Sequence, residues 1–132
     1  MSENMEMLES IARAITDDIN VSRIDWTELS IVFSFEDDGF CSGHFGYAYD
    51  GDGRPTPFTL NSMDAEISAS NYREWLRQDD DRGMIKMLFQ FNRQSRKVRA
   101  AFEYDNSSRW QVTPANIDVI TDELRPDPDD AG

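Results

Sequence analysis

The stretch LSIVFSFEDDGFCSGHFGYAY, residues 29–49, decides the fold. Its first half alternates apolar and polar side chains, which is typical of a β-strand with one face turned to a core. The acidic sequence Asp37-Asp38-Gly39 interrupts the alternation, which resumes over residues 41–49. Two alternating segments joined by an Asp-Gly turn predict a β-hairpin.

Regular patterns on both sides of this hairpin predict a helix and a further strand. In residues 5–19 the apolar side chains recur every three or four positions, as on one face of a helix that packs on a sheet. Residues 58–60 fit a short third strand. Pro55 and Pro57 precede it and cannot donate to a sheet ladder, which favours an edge position.

The second half of the chain repeats this arrangement. Residues 64–81 fit a helix with Trp75 and Leu76 facing inward, and Gly83 is a candidate cap at its end. Residues 85–91 and 98–104 alternate around a polar turn. They predict a second hairpin.

Thr113 and Pro114 fit the cap and the first position of a last helix, which Arg125-Pro126 would end. Its predicted inward face consists of Ile117, Ile120 and Leu124. The order α-β-β-(β)-α-β-β-α predicts an α+β fold, with an antiparallel sheet of four to five strands and helices packed on it. We expect a single domain over residues 1–126 and a disordered acidic tail over residues 127–132.

Acidic residues dominate the composition. The 132 residues include 26 acids and 13 bases, a formal net charge of −13, and 39% of the residues are hydrophobic. This apolar content indicates a folded chain. The charge disfavours direct binding to nucleic acid or to an anionic membrane, and it favours a basic protein as partner.

The charges are unevenly distributed. Residues 1–53 carry twelve acids and two bases, whereas the second hairpin is rich in arginine and lysine. One interpretation is that the two hairpins neutralise each other. The other is that the acids form a surface that binds a basic protein.

The cellular compartment is predicted from what the sequence lacks. Cys41 is the only cysteine, the N-terminal residues lack the pattern of a secretory signal, and no apolar run approaches the length of a membrane helix. We therefore expect a cytoplasmic protein. A monomer or a weak homodimer is expected, and the edge strand near Phe58 is one candidate contact for a dimer, without further support in the sequence.

Cys41 and His44 are the only residues of their kinds, and they are three positions apart. On a regular strand they point to opposite faces, so they form no nucleophile-base pair unless a bulge intervenes. His44 is expected on the outer face of the sheet. Zinc would require further histidine or cysteine ligands.

The loop from Asp50 to Pro55 resembles the start of a calcium site. The sequence Asp50-Gly-Asp52-Gly begins like a calcium-binding loop, but proline and Asn61 stand where such a loop needs glycine and glutamate. No metal and no cofactor is therefore expected. The sequence also lacks the known catalytic motifs, so no enzymatic activity is expected.

The candidate partner-binding residues combine carboxylates with aromatic side chains, which supply charge complementarity and contact energy. They are Asp37, Asp38, Asp50, Asp52, Tyr104, Asp105 and Trp110. A reserve group consists of Asp79, Asp80 and Asp81.

Four segments, ESIARAI, WTELSIVFSF, GHFGYAYD and FEYD, occur in this order along the chain. In this arrangement the sequence resembles the YezG-like family of immunity proteins, which neutralise bacterial toxins. The resemblance implies a non-enzymatic inhibitor, often of a nuclease delivered by contact-dependent or related inter-bacterial competition systems. The alternatives are a chaperone or adaptor for a secreted effector, or a hydrolase that uses Glu36, Asp38 or Asp105.

Overall fold

A five-stranded antiparallel sheet with helices forms the protein, so the predicted α+β fold class is confirmed. The structure is a computed structural model, and it describes residues 3–36, 38–77 and 83–125. The strand order is β3-β2-β1-β4-β5. The elements are α1 Glu3–Thr16, α2 Ile19–Ser22, β1 Glu28–Phe35, β2 Cys41–Tyr49, β3 Pro55–Phe58, α3 Asp64–Leu76, β4 Lys86–Asn92, β5 Val98–Glu103 and α4 Ile120–Leu124.

Strand β1 lies at the centre of the sheet, between β2 and β4. The alternation in the sequence places Leu29, Ile31 and Phe33 on one face, where all three are fully buried. Helices α1 and α3 cover this face, and α1 contributes Ile11 and Ile15 to the same core. The predicted packing of the first helix on the sheet is therefore confirmed.

The opposite face of the sheet is covered by the C-terminal segment, residues 104–125, which we call the strap. Val32 of β1 and Leu88 of β4 are buried beneath it. The strap contributes Trp110, Ile120 and Leu124 to this second core. The sheet is thus enclosed from both sides, by helices on one face and by a largely irregular segment on the other.

Polar contacts fix the end of the strap to the sheet. The Tyr49 hydroxyl donates a hydrogen bond to the carbonyl of Thr121, and Gln90 Nε2 donates to the carbonyl of Leu124 at 2.8 Å. Arg125 Nη2 lies 2.9 Å from Oε1 of the buried Glu28. These contacts hold α4 in place although it has only five residues.

Two predicted helices are shorter than their sequence patterns. The periodicity over residues 5–19 is divided between α1 and α2, because Asp18 has extended backbone and caps α2 through the N–H of Asn20. The third helix ends at Leu76, before Gly83. Trp75 is 41% exposed, so its predicted inward orientation is wrong, and its ring stacks on Tyr72.

The last helix begins at Ile120 and not at Thr113, so the predicted start is wrong. The Asn116 side chain accepts from the N–H of Thr113 and donates to the carbonyl of Gln111, which gives the backbone an alternative to helical hydrogen bonds. Ile117 is consequently 54% exposed.

The third strand is β3, Pro55–Phe58, and it lies three residues before the predicted position. Its place at the edge of the sheet is confirmed. The predicted tail, residues 127–132, lies outside the described residues. No helix within the described ranges is long and apolar enough to cross a membrane.

Asp18 connects the first two helices to the loop before α3. Its carboxylate accepts hydrogen bonds from the backbone N–H groups of Asn20, Asn61 and Ser62 at 2.9–3.0 Å. Burial raises the pKa of Asp18, but the three amide donors outweigh burial and hold the pKa below its ordinary value.

Replacing Asp18 with alanine is expected to lower the free energy of unfolding by about 2–4 kcal/mol, because three backbone donors lose their acceptor. Urea denaturation at pH 7 measures this loss. Asp17→Ala, at the exposed neighbouring position, is the control and should change stability by less than about 0.5 kcal/mol. Equal losses in the two variants would contradict this role of Asp18.

The same carboxylate gives stability a defined pH dependence. Because the pKa of Asp18 is lower in the folded than in the unfolded protein, its contribution is complete above about pH 4. The contribution is lost as the pH falls through the lowered pKa. The stability difference between the wild type and Asp18→Ala should therefore shrink below pH 4.

Arg125→Met is expected to lower the free energy of unfolding by about 2 kcal/mol, since it leaves the Glu28 carboxylate buried without its partner. The double variant Glu28→Gln, Arg125→Met should recover part of this loss. Denaturation of the wild type, the two single variants and the double variant measures the coupling. A double variant no more stable than Arg125→Met would contradict the pairing.

Candidate partner-binding surface

The turn between β1 and β2 presents an acidic group beside an aromatic one. Asp38 is exposed, and its carboxylate accepts from the N–H of Phe40 at 3.0 Å, which fixes the turn. The Phe40 side chain is 71% exposed. Asp37, predicted for the same surface, lies outside the described residues. This turn therefore offers both charge and apolar area to a partner.

The turn between β2 and β3 uses its two acids differently. The Asp50 carboxylate accepts from the N–H groups of Asp52 and Arg54, both at 2.9 Å, and the Arg54 amide is the main cause of its lowered pKa. Asp52 is exposed. Asp50 therefore stabilises the turn, and Asp52 is the carboxylate available to a partner.

Strand β2 separates these two acidic turns. Its nine residues span about 30 Å at the usual rise of a strand. Asp38 lies at one end of the sheet, and Asp50 and Asp52 lie at the other. The structure does not bring the predicted carboxylates together on one surface.

The tip of the second hairpin is basic, and it lies at the same end of the sheet as Asp52. Arg93 extends over the Trp26 ring at 4.9 Å and donates to the carbonyl of Trp26. Within the described residues, Asp38 and Asp52 form no ion pair with the hairpin bases. The two hairpins are neighbours in the sheet, but their charged turns do not neutralise each other by direct pairing.

Tyr104 and Asp105 follow β5, at the same end of the sheet as Asp38, and both are exposed. Glu103 organises this turn: its carboxylate accepts from the N–H groups of Tyr104, Asp105 and Asn106. Arg109 donates to the same carboxylate at 3.0 Å. The amides of Asn106 and Asp105, with Arg109, lower the pKa of Glu103 to about 2.

Trp110 lies in the second core and is only 9% exposed, so its ring offers little area to a partner. Its backbone has a φ of 62°, which is rare for a bulky side chain. The Arg109 guanidinium covers the indole at 4.2 Å. The reserve residues Asp79, Asp80 and Asp81 lie outside the described residues.

Cys41 and His44 share one face of the sheet, contrary to the expectation from regular alternation. The register shifts where Ser34 pairs with Gly43 and Phe35 pairs with Cys41, so that Ser42 is an extra residue. His44 thus lies on the α-helical face, opposite Phe33, and its predicted outward orientation is wrong.

Glu66 of α3 joins these two side chains. His44 Nδ1 lies 2.8 Å from Glu66 Oε2, and His44 Nε2 accepts from the N–H of Leu60 at 2.9 Å. The Cys41 thiol donates to Gly43 O, and burial raises its pKa to about 12. The thiol therefore stays protonated and is a poor nucleophile, and both histidine nitrogens are engaged. This cluster links β2 to α3.

The described residues contain no group of three or more potential ligands arranged for a metal ion. In the loop considered for calcium, the Asp50 carboxylate is occupied by backbone donors. Glu36, Asp38 and Asp105, the residues considered for hydrolysis, are all exposed. None of the three lies in the desolvated position that a catalytic general acid occupies.

The strap leaves part of the sheet uncovered, and a groove of about 700 Å³ lies there. Phe45 and Tyr47 pack edge to face in it, and Pro57 and Val112 form part of its walls. Lys86 lies at the groove but donates to the carbonyl of Arg109. The groove is open and mainly apolar.

Besides Asp18, sequence reasoning missed three organising carboxylates: Glu28, Glu66 and Glu103. Their roles depend on partners 97, 22 and 6 positions away. Only Glu103, within six residues of Arg109, had a local signal that could have revealed it. No protein-family model matches the chain, and no curated protein is significantly similar to it.

Glu103 is expected to titrate with a pKa near 2, well below an ordinary glutamate, because the negative form is bound by amides and Arg109. Carbon-13 NMR of the side-chain carboxyl across pH 1.5–6, as long as the fold persists, measures the midpoint. Arg109→Gln should raise it. A midpoint of about 4.3, the value in model peptides, would contradict the arrangement.

Proposed function

We propose that this protein is an immunity protein, which binds and neutralises a cognate bacterial toxin in the cytoplasm without catalysing a reaction. The observation that supports this proposal most directly is that each acidic turn has an exposed carboxylate with no basic partner among the described residues. Asp38 and Asp52 are exposed and form no ion pair within the described residues, although a basic hairpin belongs to the same sheet.

A basic protein surface is the partner that suits this charge distribution. A nuclease presents such a surface to nucleic acid, so an acidic inhibitor can bind there and exclude the substrate. Opposite charges also accelerate the encounter of the two proteins. The toxin is therefore proposed to be a nuclease of a contact-dependent or related competition system.

We propose that the toxin contacts the end of the sheet that carries Asp38. This end also presents Phe40, Tyr104 and Asp105, and the first of these is the most exposed large apolar side chain of the described residues. Strands β1 and β5 are two positions apart in the sheet, about 10 Å at the usual strand spacing. One interface of ordinary size covers that distance.

The test compares matched charge reversals at the two ends of the sheet. The binding partner is the product of a toxin gene adjacent to the gene of this protein, in a catalytically inactive form. Asp38→Lys is expected to weaken binding by about tenfold or more, and Phe40→Ala by a similar factor. Asp52→Lys makes the same charge change at the opposite end and is the control.

Isothermal titration calorimetry at two salt concentrations measures the affinities. Asp50 is not a suitable probe, since its substitution would alter the turn. If Asp52→Lys alone weakens the affinity for the toxin, the interface lies at the opposite end of the sheet. Unchanged affinity in all variants, without salt dependence, would contradict an acidic binding surface.

A chaperone or adaptor for a secreted effector is the second candidate, and the groove at Phe45 and Tyr47 favours it. Such a partner would insert apolar side chains, and its binding would depend little on salt. Tyr47→Ala would weaken that interaction, whereas Asp38→Lys would not.

A further inference from the structure

The two edges of the sheet differ in their capacity to bind another strand. β3 has four residues, and two of them, Pro55 and Pro57, have no N–H to donate. β5 has six residues, Val98–Glu103, and contains no proline. Within the described residues, β5 is paired on one side only. An open edge of this kind is a template for a further strand.

The hydrogen-bond register shows which groups of β5 face outward. Asn92 N–H donates to Lys97 O, and Asn92 and Lys97 are opposite each other in the continued β4–β5 register. Hydrogen-bonded pairs alternate along an antiparallel ladder. The odd-numbered residues of β5 therefore bond to β4. The even-numbered residues direct their backbone N–H and C=O groups away from β4, toward the open edge of the sheet. These residues are Val98, Ala100 and Phe102.

We propose that two copies of this protein associate through β5, antiparallel and about a two-fold axis, to form a continuous ten-stranded sheet. The charges along β5 indicate that the strand added at this edge is β5 of a second copy. Lys97 and Arg99 lie at its beginning, and Glu103 and Asp105 lie at its end. Antiparallel self-pairing places each basic end beside the acidic end of the other copy, whereas parallel pairing would oppose like charges.

One register gives a hydrogen-bond partner to every outward-facing N–H and C=O group of Val98, Ala100 and Phe102. Ala100 lies opposite Ala100 of the partner subunit, and Val98 lies opposite the partner subunit's Phe102. This register forms six backbone hydrogen bonds in the ladder geometry. It also places Lys97 opposite the partner subunit's Glu103, on the face of the sheet that the strap covers.

The contact is small. A single edge strand buries less area than a typical stable interface, so the dimer belongs to the weak class and depends on protein concentration. The half-buried side chains of Val98 and Phe102 supply the apolar part of the contact. The dimer proposal does not rest on the toxin-binding proposal, because it is argued from the open backbone edge of β5. Asp105, which follows β5, belongs to the surface proposed for the toxin and also lies beside the dimer contact.

Sedimentation velocity over a hundredfold concentration range tests the dimer. Ala100→Pro removes an outward N–H and keeps the ladder with β4, so the dimer dissociation constant should rise by about tenfold or more. Lys97→Glu places a second carboxylate opposite Glu103 of the partner subunit, so it should weaken the dimer too. Arg54→Glu is the control, since it makes the same charge change on an exposed residue of the β2–β3 turn.

Amide hydrogen exchange identifies the contact. The N–H groups of Ala100 and Phe102 should become protected as concentration rises, whereas the amide of Thr56, which faces β2 in the β2–β3 register, should not change. If Ala100→Pro fails to fold, Lys97→Glu and the exchange data still decide. A monomer at every concentration, or a dimer that Lys97→Glu and Arg54→Glu weaken equally, would overturn the proposal.

Discussion

The central strand β1 is buried on both faces, and the rest of the structure follows from the need to cover both. Ile31 and Phe33 require an apolar layer on one side, and Val32 requires one on the other. Helices α1 and α3 provide the first layer. The strap provides the second although most of it is not helical, because its own backbone groups find partners in local turns and in the sheet.

This double covering explains where buried polar groups occur. A strand face that carries Glu28 and Ser30 can be buried only if these groups are paired. Arg125 pairs with Glu28, and the Tyr49 hydroxyl lies 3.4 Å from the Ser30 hydroxyl while donating to the strap. Burial raises the pKa of Tyr49 to about 12, so the donor stays neutral over the physiological range. The pairs therefore specify how the strap lies on the sheet.

Strands β1, β2, β4 and β5 and their order along the chain were predictable because each carries a period-two pattern with a polar turn beside it. The strap was not, because a segment that packs through Trp110 and Ile120 in an irregular conformation has no period to detect. Ile117 fitted a helical face and yet is exposed, since local side-chain bonds of Asn116 replace the helix there. Periodicity in the sequence identifies helices and strands, but it does not identify an irregular segment that packs on a sheet.

The candidate surface was predictable only in part. An exposed Asp38 follows from an acidic turn between two strands, but the distance between Asp38 and Asp52 depends on the direction and length of β2. One extra residue at Ser42 changed the face of His44. The role of Glu103 depends on the path of the chain after β5. Such effects arise from three-dimensional placement, which composition and spacing do not encode.

Trp26 and Trp110 are fluorescent reporters of the two layers that cover the sheet, the helices and the strap. Trp26 is buried in the helical layer, and Trp110 is buried beneath the strap on the other side of the sheet. Sub-global opening of the strap would solvate Trp110 and leave Trp26 enclosed, whereas cooperative unfolding would expose both together. Fluorescence of variants that retain Trp26 or Trp110 as the single tryptophan, with Trp75 also replaced, therefore distinguishes a protein with a single cooperative unit from one whose C-terminal layer detaches first.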